Sequence, residues 1–211
     1  MNYLERTLSS PRWQWLNRLV GPWVWSGHAH DQWMRVVLNR ELDRLIAGLN
    51  PSTIKACEIS GRFWDRPNLF REYRALEFPA FDICTAPHPE TFDLVIAEQV
   101  FEHLLWPYRA GRNVHAMVNP GGYALISTPF LVKVHPYPVD CSRWTETGLK
   151  YFLAECGFPL ESIVTGSWGN RACVRSNFGP RWTIYQKWRH SLDNEPEFPI
   201  VVWALAKKGP V

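Results

Sequence analysis

TFDLVIAEQVFEHL, residues 91–104, is the stretch on which the reading of the fold turns. Behind Asp93 come four apolar or small residues, Leu94 to Ala97, and then Glu98, Gln99, Glu102 and His103 arrive within six positions. An unbroken apolar run of this kind marks a strand covered on both faces. So abrupt a change to ionisable side chains puts Glu98 onward on the loop and helix start beyond the strand. In a parallel sheet with crossover helices, that carboxyl end is where loops and helix N-termini converge and where ligands bind.

Working outward, the same alternation recurs. IKACEIS (54–60), YRALEF (73–78), FDLVIA (92–97), YALIST (123–128), LESIVTG (160–166) and FPIVVWALAK (198–207) read as strands. Pro107 suits the first turn of a helix with Tyr108, Val114, Met117 and Val118 as its apolar stripe and Asn119-Pro120 as its end, after which Pro120-Gly121-Gly122 turns into the next strand. Thr145 is placed to cap a helix with Leu149, Phe152, Leu153 and Cys156 on its buried face and Gly157 at its end. Upstream, Asp31 is the expected cap of an amphipathic helix over 31–50, with Met34, Leu38, Leu42, Leu45, Ile46 and Leu49 at helical spacing. The pattern predicts a doubly wound α/β domain over 51–211 behind a Trp-rich helical extension or lid, 1–50, with an insertion at about 168–197. Within that insertion GPRWTIYQKWRH is expected as a short helix bearing Trp182, Tyr185 and Trp188.

Composition narrows the function classes. Apolar residues make up 46% and charged ones 20% of the 211, ordinary globular usage that argues against disorder and against a membrane bundle. A net charge of +3 is too small to call for a nucleic-acid partner. Cys57, Cys84, Cys141, Cys156 and Cys173 are scattered, odd in number and free of C-x-x-C pairs, which favours reduced thiols in the cytoplasm over a disulfide framework. Of twelve tryptophans, Trp13, Trp15, Trp23, Trp25 and Trp33 lie in the first thirty-three residues. They can pack an N-terminal segment onto the domain, wall a substrate, or rest on a membrane surface as a peripheral anchor.

FDLVIAEQVFEHL (92–104), VNPGGYALISTPF (118–130) and DCSRWTETGLKYFLAECGF (140–158) together resemble the class I S-adenosylmethionine-dependent methyltransferases, of the methyltransferase type 11 kind. The resemblance, over about residues 54–206, implies a Rossmann-like, mostly parallel sheet whose final antiparallel strand inserts between the two before it. It also implies S-adenosyl-L-methionine as cofactor. By position, Glu58 is the carboxylate that orders the loop under the methionine part, and Ser60 and Gly61 begin the glycine-rich turn. Glu77 is the acceptor for the ribose hydroxyls, Asp82 and Ile83 flank the adenine, and Glu98 lies near the methionine moiety. The chain departs from the family at that turn, where EISGRFW has one glycine and the family's E-x-G-x-G-x-G has three.

QVFEH further resembles the E-x-x-E-H of small-RNA 2′-O-methyltransferases and of some quinone-pathway O-methyltransferases. That resemblance makes Glu102, His103 and His135 candidate ligands for Mg²⁺ or another divalent metal, with Gln99 in the place of the first carboxylate. A metal-free site would use His103 or His135 as general base instead, since a hydroxyl acceptor must lose its proton. The function so implied is O-methylation of a hydroxyl on a small molecule or glycan precursor. N-methylation, or a catalytically silent methyltransferase-fold binding or scaffold protein, stand as alternatives. No basic and aromatic nucleic-acid module accompanies the motifs, which weighs against RNA as substrate.

Overall fold

The computed structural model describes residues 32–210. Asp31 as a helix cap and the roles weighed for Trp13, Trp15, Trp23 and Trp25 lie outside the described residues. The elements run α1 (Trp33–Ala47), β1 (Lys55–Ile59), β2 (Glu72–Leu76), β3 (Phe92–Glu98), α2 (Pro107–Met117), β4 (Val118–Pro129), α3 (Glu146–Glu155), β5 (Ile163–Trp168), α4 (Arg171–Ser176) and β6 (Val201–Lys207). They form one six-stranded sheet in the order β2-β1-β3-β4-β6-β5. β2, β1, β3 and β4 pair in parallel, and β6 is antiparallel to both β4 and β5. The late antiparallel strand thus sits between its two predecessors, as the resemblance implied.

The unbroken apolar run in β3 has a two-sided cause. Val95 and Ala97 point into a core shared with α2 and α3, including Val114, Met117, Phe152 and Leu153. Leu94 and Ile96 point into a second core against α1 and α4, with Trp33, Leu38, Leu42, Trp64 and Cys173. Side chains alternate in direction along a strand, so only burial of both faces makes every position apolar. α1 is therefore one of the layers that closes the sheet.

Local signals explain the element ends. The Thr145 hydroxyl accepts the Gly148 backbone N–H at 3.0 Å, and Gly157 takes a φ of 113° just past α3. Asp93 braces the start of β3, accepting from the Lys55 backbone N–H at 2.9 Å and from the Asn119 amide at 2.8 Å. A Cβ at Gly122 would lie 2.8 Å from the Asp93 carbonyl oxygen, so that turn requires glycine.

Two expectations are corrected. GPRWTIYQKWRH is not helical: it runs as irregular chain, held by a bridge between Ile184 and Gln32 and by the Trp33 backbone N–H on the Thr183 carbonyl at 2.8 Å. Pro180 removes a donor at its start, and tertiary pairing with the beginning of α1 takes over. The β1–β2 and β2–β3 connections, 60–71 and 77–91, carry no helix, so the layers rest on α1 and α4 on one face and α2 and α3 on the other.

Candidate active site

Glu58, one residue before the end of β1, is buried, and its carboxylate collects three donors: the Phe63 N–H at 3.1 Å, the Trp64 N–H at 2.9 Å and the Tyr73 hydroxyl at 2.6 Å. Burial pushes its pKa up, against the pull of those hydrogen bonds. The two backbone bonds tie the turn 60–64 to the carboxylate, and Tyr73 reaches it from β2. Ser60 takes a left-handed φ of 56°, and a Cβ on Gly61 would collide with Glu58 Oε1. The one glycine of this turn is thus the one that the carboxylate's approach demands.

The positions of the missing glycines carry side chains with partners of their own. Arg62 forms an ion pair with Glu77, which is half exposed just past the end of β2. Trp64 turns into the core under α1, and its indole N–H donates to Glu98 Oε2 at 2.9 Å. Arg35, on the first turn of α1, forms an ion pair with the other oxygen of Glu98. Glu98 is thereby held between a cation and an indole at the end of β3, with 4% of its side chain exposed. Asp82 accepts the Cys84 N–H at 2.8 Å and the Thr85 hydroxyl at 3.3 Å, and Ile83 lies in the core with its carbonyl bonded to the Asn113 amide at 2.7 Å.

The second group of predicted residues does converge. A single 3-10 turn, Phe101–His103, follows β3, and the chain after β4 folds back over it. Glu102, His103 and His135 each bring a ligand-type atom to within 4.8 Å of the others. His103 Nδ1 lies 2.5 Å from the Val139 carbonyl oxygen, and His135 Nδ1 lies 3.2 Å from Asp140 Oδ2 and 3.4 Å from the Lys133 carbonyl. These neighbours only accept, so in each neutral ring the proton sits on Nδ1 and Nε2 keeps its lone pair. Burial lowers both histidine pKa values, which favours that neutral form.

Asp140 orders the loop that brings His135 in. It accepts the His135 backbone N–H at 2.9 Å and takes a forked contact from Arg143. Burial alone would raise its pKa, but those hydrogen bonds and the guanidinium charge outweigh it and hold the carboxyl below its usual range. Glu102 has no such help: burial pushes its pKa up to about 8, and its Oε2 is an unpartnered buried atom among the described residues. Gln99 takes a φ of 56° and donates its amide N–H to the Ser127 hydroxyl at 3.2 Å, leaving three ligand-type groups in the cluster. The edge of the Trp182 ring meets His135 at 5.6 Å between centroids, and Lys133 lies 5.0 Å over the same indole.

Sequence reasoning missed Arg35 and the destination of Trp64. Arg35 could have been found as the guanidinium set beside the apolar stripe of Met34 and Leu38. Trp64 offered no periodic signal, because its burial depends on where α1 packs.

A model for a methyltransferase domain matches residues 40–126. No match was found among curated protein sequences. Among solved structures, the chain is similar to DhpI in its complex with SAH, at 13% identity and a TM-score of 0.60 over 99% of this chain and 98% of that one. It is similar also to an S-adenosylmethionine-dependent methyltransferase from Mesorhizobium loti, at 14% identity and a TM-score of 0.54 over 78% and 96%. A third, the [4+2]-cyclase SpnF, is 14% identical with a TM-score of 0.53 over 81% and 82%. These likenesses establish the fold, and the matched model marks residues 40–126 as similar to a methyltransferase domain.

Proposed function

We propose that this protein transfers the methyl group of S-adenosyl-L-methionine to a hydroxyl on a small molecule or glycan precursor. The observation that carries this reading is the cluster of buried Glu102 with half-buried His103 and His135 beside the carboxyl ends of β3 and β4. A hydroxyl needs a base at the moment of attack, and two neutral imidazoles supply candidates for it, His103 with its Nε2 3.5 Å from Glu102 Oε1. His103 or His135 takes the acceptor proton as the oxygen attacks the sulfonium methyl carbon. The C–S bond breaks with its electron pair going to sulfur, which leaves S-adenosylhomocysteine. Asp140 acts as the positioning residue that keeps the proton of His135 on Nδ1.

The same three residues fit a divalent cation. Two imidazole nitrogens, a carboxyl with an unpartnered oxygen and Nδ1 atoms tied to acceptors make up a ligand set with its supporting shell. A bound cation would acidify the acceptor hydroxyl. With Gln99 as a neutral amide turned toward Ser127, the set suits a nitrogen-preferring ion better than Mg²⁺.

On the cofactor side, Glu58, Ser60 and Gly61 are proposed to order the turn below the methionine part, and Glu77 to receive the ribose once Arg62 moves aside. Asp82 and Ile83 are proposed to border the adenine. Arg35 joins Glu98 in this proposal: a buried guanidinium beside a buried carboxylate matches the carboxylate and ammonium of an amino-acid end. N-methylation would need desolvation and positioning without the base, and predicts activity that is indifferent to chelators. The specific observation that favours a silent binding protein is the closed turn, in which Arg62 and Trp64 already hold Glu77 and Glu98. The proposed division, a Trp-rich lid up to residue 50 and a catalytic domain after it, leaves the rim loops as substrate cover. The five unpaired cysteines support a cytoplasmic setting.

Calorimetric titration with S-adenosylhomocysteine tests the reading. Binding that Glu77→Ala weakens at least about tenfold supports it, since a carboxylate accepting two hydroxyl donors is worth about 1.5–3 kcal/mol. No heat and no thermal stabilisation at any ligand concentration would leave the silent protein as the better account.

A further inference from the structure

Resting on the proposed hydroxyl methylation, we infer that the carboxyl-end rim of the sheet is a peripheral membrane surface and that the acceptor is presented to the site from an anionic bilayer. Large apolar side chains are exposed on loops that follow three successive strands at this end. Leu105 and Trp106 follow β3, Val134 and Tyr137 follow β4, and Phe178 and Trp188 follow β5. Exposure reaches 73% at Val134, 70% at Phe178 and 82% at Trp188, against a core in which most apolar residues are closed to solvent. Soluble chains seldom gather so many on one rim without a partner for them.

Contacts join these loops into one surface. Lys133 donates to the Gly179 carbonyl, His135 packs on Trp182, and the Val139 carbonyl binds His103 two residues before Leu105. Two of the three loops carry cations without acids, and in the third Asp140 is paired with Arg143. Residues 177–190 contain Arg181, Lys187 and Arg189 and no acidic residue, and 104–116 contain Arg109 and Arg112 and none. The Arg109 guanidinium lies 5.3 Å over the Trp106 ring, an apolar body with a cationic tip. Aromatic and aliphatic tips interleaved with cations are what the boundary between anionic headgroups and acyl chains accepts.

Gln32, the first described residue, pairs with Ile184 at this rim and ties the start of α1 to the loop that bears Phe178 and Trp188. A single-stranded nucleic acid would use the cations and the rings, but not Leu105 and Val134, which offer neither a ring to stack on nor a polar edge. The proposed acceptor is accordingly a hydroxyl on a lipid-anchored headgroup, delivered beside His103 and His135.

Sedimentation of the full chain with vesicles tests this, using phosphatidylcholine alone and an equal mixture of phosphatidylcholine and phosphatidylglycerol, with no cofactor present. The chain is expected to bind the mixed vesicles, less well at high salt, and to lose at least about tenfold in partition when Phe178→Ser and Trp188→Ser are combined. Leu105→Ser with Trp106→Ser gives a second, independent loss, and brominated lipids should quench tryptophan fluorescence of the unmutated chain. No vesicle binding by the full chain overturns the proposal, as does binding that both double variants retain, or binding to single-stranded RNA in place of vesicles. Calorimetry with S-adenosylhomocysteine in the absence of lipid reads the methyltransferase reading separately, so the two can fail independently.

Discussion

Glu102 is the side chain whose chemistry is least comfortable. Its carboxyl has an ordinary pKa of 4.5 and is pushed up to about 8 by burial, with one oxygen unpartnered. Between those values the folded chain holds a proton that the unfolded chain has released. Stability should therefore fall as pH rises from about 4.5 to about 8, and level off above. Glu102→Gln cannot lose a proton and should flatten that slope, so in metal-free buffer it gains over the native chain at pH 9 and not at pH 4. The gain at pH 9 should be about 1–3 kcal/mol, read as a melting-temperature rise of about 2–4 °C for each kcal/mol. A slope that survives the substitution would assign the pH dependence to another group.

A second residue-scale expectation concerns Arg35. If its guanidinium receives the amino-acid end of the cofactor, Arg35→Ala should weaken S-adenosylhomocysteine by about tenfold to a hundredfold, the worth of a charge-assisted hydrogen bond. Methylthioadenosine, which lacks that end, should bind the variant and the native chain alike. Equal weakening of both ligands would mean that Arg35 serves only to fix Glu98.

At the scale of elements, α3 is held to α2 by one aromatic side chain and one glycine. Phe152 packs edge-on against Phe101 and Tyr108 and tilted against Trp144, with centroids 5.0–5.6 Å away. A Cβ on Gly111 would strike Cys156 Sγ where the two helices cross. Phe152→Ala should cost about 3–5 kcal/mol by denaturant titration, since it deletes a buried ring and leaves a cavity. The same change loosens the floor beneath the 3-10 turn of Glu102 and His103, so vicinal order at the cluster should fall with it. This pairing of helices was legible beforehand, because α2 and α3 announce their inner faces by spacing and their ends by Pro107, Thr145 and Gly157. The segment 179–190 was not legible: its aromatic spacing fits a helix, but Pro180 and the pairing of Ile184 with Gln32 decide otherwise.

For the whole molecule, the alternation of strands and helices was legible because central strands such as β3 are written as apolar runs, whereas the place of the last antiparallel strand came only from the family resemblance. The site was legible only where local sequence carries it. Glu102 and His103 share one turn, and His135 lies on the loop after the neighbouring strand; the Arg35–Glu98–Trp64 arrangement spans three elements and depends on how α1 lies across the sheet. That same dependence makes the cofactor reading testable on the entire fold. A ligand seated at the ends of β1, β2 and β3 and against α1 touches both core layers, so its binding energy should appear as global stability. At a free concentration one hundred times its Kd, S-adenosylhomocysteine should add about 2.7 kcal/mol, or roughly 5–11 °C in melting temperature for a domain of this size. The transition should remain single, because the sheet is common to both layers and neither can unfold while the other keeps its strands. A shift confined to one early, partial transition would place the ligand on a single layer, and would remove Arg35 and Glu58 from one shared site.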